Sequence, residues 1–294
     1  MLMYGQKTRR APGINAFKCC GFLFSLLLRC FAVAFTLTNG WANAIPEDAE
    51  SLEPPEGSLT LPSVFSQKPF AEIGGSYEHL TNGYTPWASQ YLDVTVPLHS
   101  QGLVNVNILN ANRFSQNDTA GYLNYAYPFR YGVLSAEGGY TVNPQFLTKD
   151  LYGIGWNGRL PYSFNYLLSA RTSQYLTGDT QTINMGVDKY YGEYRFAYTL
   201  VRSVLDYSER SWLSKFQVQW LGESGHKLGL LYATGHEPMV VTIGNLSNID
   251  VVTYQADGLY KINQTFGLTV SLWHAVQGSY YQRNGGQLGV RVAF

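Results

Sequence analysis

The sequence predicts an all-β chain, a transmembrane antiparallel β-barrel of about fourteen strands. Three observations predict it. Alternating apolar and polar residues recur in segments of roughly nine to eleven residues, the length that crosses a bilayer when tilted. The chain holds 23 Tyr, 15 Phe and 6 Trp, yet its mean hydropathy is only −0.13. A soluble sandwich hides its aromatics, whereas a membrane barrel shows them to lipid and keeps a polar interior. Short and longer connections also alternate between the segments, as in barrels with short turns on one side of the membrane.

The elements follow in order. Residues 1–44 read as a signal peptide for Sec export. Lys7, Arg9, Arg10 and Lys18 precede a largely apolar run from Cys19 to Phe35, interrupted by Arg29, and Ala42-Asn43-Ala44 gives a small-residue cleavage site. A transmembrane helix is disfavoured by the short, broken run. All three cysteines (Cys19, Cys20 and Cys30) fall inside this segment, so the processed chain has no disulfide, thiolate nucleophile or cysteine metal site. Removing it leaves 15 basic residues against 20 acidic. Five of those acids, Glu47, Asp48, Glu50, Glu53 and Glu56, sit in residues 45–66, a Pro-rich flexible periplasmic linker. No basic stripe is present, which argues against a nucleic-acid partner.

Residues 67–294 form the barrel. Its clearest strands are Val104-Val106-Ile108 against Asn105 and Asn107, then Leu123-Tyr125-Tyr127 against Asn124 and Ala126. Tyr194-Phe196-Tyr198-Leu200, Trp212-Ser214-Phe216-Val218-Trp220 and Leu268-Val270-Leu272 follow the same rule. The closing segment sets Leu288, Val290, Val292 and Phe294 against Arg291. Longer connections are expected at 80–86, 114–118, 143–150, 204–211, 235–250 and 277–286. If 235–250 is wrongly divided, the count becomes twelve.

The order of several short motifs resembles the YaiO-type outer-membrane β-barrel family. They are Gly75-Ser76-Tyr77, Leu80-Thr81-Asn82-Gly83 with Trp87, Asn112-Arg113-Phe114, Tyr125-Ala126-Tyr127-Pro128, Gly235-His236-Glu237-Pro238 and Phe294. The resemblance implies an integral barrel in the outer membrane of a Gram-negative cell and brings no assigned reaction or solute. It implies lipid and lipopolysaccharide as surroundings and the barrel-assembly machinery as a partner, with Phe294 resembling the terminal aromatic assembly signal.

If the apolar faces meet lipid, the opposite faces line the lumen. Predicted lumen residues are Glu72, Asp93, Arg113, Glu137, Arg159, Arg171, Asp188, Glu193, Arg195, Lys215, Asp257 and Arg291. Mixed signs predict charge-compensated networks, because an unpaired charge in such a space is costly. A strongly selective pore would show rings of one sign. The expected function is therefore non-enzymatic: a narrow channel for small polar solutes or a structural envelope component. The alternative is a membrane hydrolase using a rim histidine, His79 or His236, since acyl hydrolysis needs a nucleophile, a base and an orienting group. No catalytic residue, metal site or cofactor is assigned. Adjacent His236 and Glu237 diverge on an extended chain and make a poor chelate.

Overall fold

Period-two alternation builds a single curved wall. The computed structural model describes residues 68–98, 102–206, 209–222, 224–243 and 245–294. The predicted signal (1–44), the linker (45–66) and His99 lie outside the described residues. Fourteen strands follow in chain order: β1 Phe70–Leu80, β2 Trp87–Pro97, β3 Leu103–Arg113, β4 Gln116–Phe129, β5 Gly132–Val142, β6 Asp150–Leu160 and β7 Phe164–Tyr175. The second half comprises β8 Gly178–Tyr191, β9 Tyr194–Leu205, β10 Glu209–Leu221, β11 Lys227–Thr242, β12 Asn245–Lys261, β13 Phe266–Gln277 and β14 Tyr281–Ala293. Each pairs antiparallel with its chain neighbours, and β1 closes on β14 in the register Phe70↔Ala293 to Leu80↔Arg283. Closure leaves no free edge in the wall, which every backbone N–H and C=O inside a bilayer requires.

The predicted apolar faces point outward. Ile108, Leu123, Leu168, Leu230, Leu272 and Leu288 are exposed on the outer surface, while Asn107, Ser135, Asn157, Ser169 and Gln219 are buried inside. With an even strand count, β1 begins and β14 ends at the same rim, called here the near rim. The opposite, far rim carries the connections after the odd-numbered strands.

Four of the expected longer connections are mostly strand: β9 runs to Leu205 and β10 starts at Glu209 within 204–211, and β14 starts at Tyr281 within 277–286. Residues 114–118 shrink to a two-residue turn, with Phe114 and Ser115 at φ 53° and 62° and β4 starting at Gln116. Positive φ at both positions gives the hairpin turn whose twist matches the flanking strands. Residues 235–250 are not a loop either. β11 and β12 continue to Thr242 and Asn245, paired from His236↔Asp250 to Val240↔Leu246. The twelve-strand alternative falls with that observation.

The β11–β12 extension leaves the wall. β10 pairs with β11 only as far as Leu213↔Gly235, and β13 pairs with β12 only from Val251↔Gln277. Residues 236–250 therefore form a two-stranded ribbon unpaired with β10 or β13, held at its base where the Gly278 N–H donates to the Asp250 carbonyl at 2.7 Å. Gly235 marks the departure at φ 140°, where an added Cβ would stand 2.2 Å from the Trp212 carbonyl oxygen. Pro238 lies three residues on, and its missing N–H is tolerated only on such an edge.

Candidate functional site

The interior is mostly polar toward the near rim, apart from a small cluster of Leu103, Ala126 and Val133, and mostly apolar toward the far rim. Near the near rim, Glu72 of β1 faces its register partner Arg291 of β14. Arg291 donates to one Glu72 oxygen from Nε at 2.9 Å and from a terminal nitrogen at 2.9 Å. The other oxygen accepts from Thr269 at 2.9 Å and from the Tyr91 hydroxyl, which in turn accepts from Gln287 at 3.0 Å. Asp93 accepts from Asn105 at 2.9 Å and Asn107 at 3.4 Å. Around the wall, Arg195 reaches Gln219 at 2.8 Å and Asp188 at 3.4 Å, and Asp188 also accepts from Asn165 at 2.8 Å. Midway up, Arg171 grips Glu137 with two parallel bonds of 2.5 and 2.8 Å, the fork geometry that gives an arginine–carboxylate pair its strength.

Toward the far rim the lumen turns apolar. Leu80, Trp87, Val201, Leu213, Leu231, Met239, Ile249, Val251 and Tyr281 form one buried cluster, joined by Tyr84, Phe114 and Tyr280. A second cluster of Leu109, Ala111, Ala120 and Phe146 takes in Val240. That last contact decides the geometry. Val240 belongs to the β11–β12 ribbon, whereas Leu109 and Ala120 belong to β3 and β4 on another sector of the wall. The ribbon crosses the mouth. Aromatic edges link the clusters, Phe114 meeting Trp87 at 5.2 Å and Phe146 at 6.2 Å.

Charges brace the wall and the β5–β6 connection around the ribbon. Asp118 accepts from three consecutive backbone N–H groups, those of Gln145, Phe146 and Leu147, at 2.8–3.0 Å. The β5–β6 connection (143–149) is thereby folded inward and Phe146 is buried. Arg283 pairs with Glu78 at 3.1 Å, and Trp273 donates to the same carboxylate at 3.3 Å. The guanidiniums of Arg113 and Arg283 lie 4.5 and 5.2 Å from the Trp87 ring centroid, within cation–π range.

Beneath the ribbon a cavity of about 110 Å³ with a mixed polar and apolar lining remains. Hydroxyls of Ser173, Thr180, Thr182, Thr199 and Ser203 line it with Lys215 from the wall and Glu237 from the ribbon. Glu237 is in electrostatic reach of both Lys215 and Arg283.

Most predicted lumen residues fall on the inner face: Glu72, Asp93, Arg113, Glu137, Arg171, Asp188, Arg195, Lys215, Asp257 and Arg291. Two do not. Glu193 sits exposed in the β8–β9 turn (192–193), where its carboxylate accepts from the Trp220 indole at 2.8 Å. Arg159 is exposed at the near rim and borders outward aromatics. In both places the strand is ending, so the alternation no longer dictates direction. Sequence reasoning missed the roles of Asp118, which it put in a loop, and of Arg283. Phe294 is exposed and donates its N–H to the Pro69 carbonyl at 2.9 Å.

The histidines are dispersed. His236 meets Asp250 at 2.6 Å on the exposed outer face of the ribbon, His274 meets Asn284 at 2.8 Å, and His226 accepts from the Lys261 N–H at 3.1 Å. None of those partners is a serine, threonine or cysteine side chain of the kind that a histidine base activates. His236 and Glu237 point to opposite sides of the ribbon. Among the described residues no group of three His, Cys, Asp or Glu side chains is placed to hold a metal.

A closed fourteen-strand wall with lipid-compatible outer faces and a hydrogen-bonded polar lumen defines an outer-membrane β-barrel domain. The chain belongs to the YaiO membrane β-barrel family, whose domain it matches over residues 69–239. No curated protein sequence matches it. Among solved structures it is similar to the CymD monoaromatic hydrocarbon channel, at 7% identity and TM-score 0.55, covering 78% of this chain and 89% of that one. Omp33 of Acinetobacter baumannii (12% identity, TM-score 0.48, 77% and 99% covered) and the KdgM porin (9%, 0.43, 76% and 99%) also align. Identities this low speak to the fold alone.

Proposed function

We propose that this protein is an integral outer-membrane barrel that acts without covalent chemistry and rests in a closed state. In this reading the β11–β12 ribbon is a plug. A narrow path for small polar solutes exists only when it leaves the mouth, and otherwise the barrel is an envelope component. The packing of Val240 against the β3–β4 cluster carries the reading, because it places the ribbon across the lumen rather than above it. The paired charges below support it, since none of the salt-bridged carboxylates is left as a one-sign ring. Sec export through residues 1–44 and a setting of phospholipid and lipopolysaccharide complete the proposal.

The test is electrical. Purified barrel added to planar bilayers is expected to insert and stay silent. Steady conductance from the wild-type protein would overturn the closed resting state. Hydrolysis of lipid or peptide substrates that vanishes in His236→Ala or His79→Ala would overturn the non-enzymatic reading.

A further inference from the structure

We infer that the outer wall carries a binding site for the phosphate of a glycerophospholipid, built around Arg159 at the near rim. The inference rests on the outer-membrane placement proposed above, because the site faces lipid only in an inserted barrel.

The first observation is a break in pattern. Along β6 the side chains of Tyr152, Ile154 and Trp156 are exposed outward, while Leu151 and Asn157 are buried inward. Parity would send Arg159 inward as well. It instead borders an outward bowl of about 500 Å³ with Phe129, Tyr131, Leu134, Trp156 and Tyr166. A guanidinium on the lipid-facing side is strongly disfavoured at mid-depth but tolerated near an interface. Its place at a strand end puts it at headgroup level, where long cationic side chains settle.

The second observation is the chemistry gathered there. Arg130 lies 5.5 Å from the Tyr131 ring centroid, so two cations flank the bowl. Two parallel N–H groups of a guanidinium match two phosphate oxygens. Tyr131 and Tyr166 add hydroxyl donors, and Trp156 adds an indole N–H. Exposed Leu134 and the ring faces offer an apolar bed for the lipid's glycerol and upper acyl carbons.

The third is a close approach that shapes the bowl. A Cβ at Gly158 would come within 2.4 Å of the Tyr166 ring. Glycine there lets Tyr166 lie over the sheet and meet Trp156 edge-on at 5.6 Å. The longest departures from the wall, residues 81–86, 143–149 and the ribbon 236–250, are all at the far rim, while no near-rim connection exceeds five residues, which makes the near rim the periplasmic side. The leaflet there is phospholipid, so the occupant is a glycerophospholipid rather than lipopolysaccharide.

Native mass spectrometry of the barrel released from nanodiscs tests the assignment, with phosphatidylglycerol, lipopolysaccharide or inorganic phosphate as probe. Wild type is expected to retain phosphatidylglycerol, and Arg159→Gln to retain it roughly tenfold less, the loss of one charge-assisted contact. Lys149→Gln, at the other rim, should retain it as wild type does. Equal retention by wild type and Arg159→Gln would overturn the site. Retention of lipopolysaccharide alone, or displacement of the lipid by inorganic phosphate, would overturn the choice of occupant. If Arg159→Gln does not fold, Trp156→Phe, which removes only the indole donor, must still lower retention. Insertion is read separately by heat-modifiable migration, so a barrel that never inserts counts against the outer-membrane reading instead.

Discussion

Charging the tip of the ribbon should open the barrel. Val240 packs into the cluster of Leu109, Ala111, Ala120 and Phe146, and its ribbon neighbours Met239 and Ile249 are buried in the adjoining cluster. At about 1.5–3 kcal/mol per fully buried side chain, these three hold the ribbon with at most roughly 4.5–9 kcal/mol before ordering costs are subtracted, Val240 being only partly buried. Val240→Ala forfeits on the order of 1.4 kcal/mol of that, which raises the open population roughly tenfold. Val240→Asp forfeits the same contact and adds several kcal/mol for carrying a carboxylate into an apolar site. The ribbon then gains more by staying in water than by docking. The wall is untouched, because β10 and β13 make no pairs with residues 236–250. In planar bilayers the wild type should be silent, Val240→Ala should flicker rarely, and Val240→Asp should conduct for much of the record. Heat-modifiable migration establishes that each variant is folded. A folded Val240→Asp barrel as silent as wild type would refute the reasoning, as would equal conductance from both.

Other substitutions probe the supports of the plug and the lumen. Asp118→Ala strands three N–H groups that its carboxylate now accepts, at about 1–3 kcal/mol each. Limited proteolysis should then cut within 143–149, where wild type resists. Arg171→Met leaves Glu137 charged and unpaired, so the unfolding midpoint in urea should fall by the equivalent of about 3–5 kcal/mol, and adding Glu137→Gln should recover much of it. The exposed His236–Asp250 pair is worth about 0–1 kcal/mol, so His236→Ala should leave the midpoint almost unchanged.

How much was legible follows from the range of each interaction. Alternation is local, so strand faces, the inward direction of Glu72 or Arg171, and the closing strand with Arg291 could all be read directly. Partners are not local. Glu72 and Arg291 are 219 residues apart, and nothing in either stretch names the other until the barrel closes. Arg159 and Glu193 were misdirected because a side chain at a strand end can turn over the rim. Asp118 was placed in a loop because Phe114-Ser115 lacks the glycine or asparagine that normally marks a two-residue turn. Gly235 and Pro238 likewise signal a loop, yet a ribbon unpaired with β10 or β13 accommodates both. The apolar far half of the lumen escaped notice because Trp87, Leu109 and Tyr281 share inner faces otherwise occupied by polar residues.

The position of the ribbon tests the account most directly. Cys19, Cys20 and Cys30 all lie within residues 1–44, so with these three replaced by serine, spin labels at Gln145→Cys and Ser247→Cys report the separation between the β5–β6 connection and the ribbon without interference. In membranes the wild-type background should give one short, narrow distance distribution, broadening to long separations when Val240→Asp is added. A long, broad distribution in the wild-type background would contradict the claim that the ribbon closes the mouth.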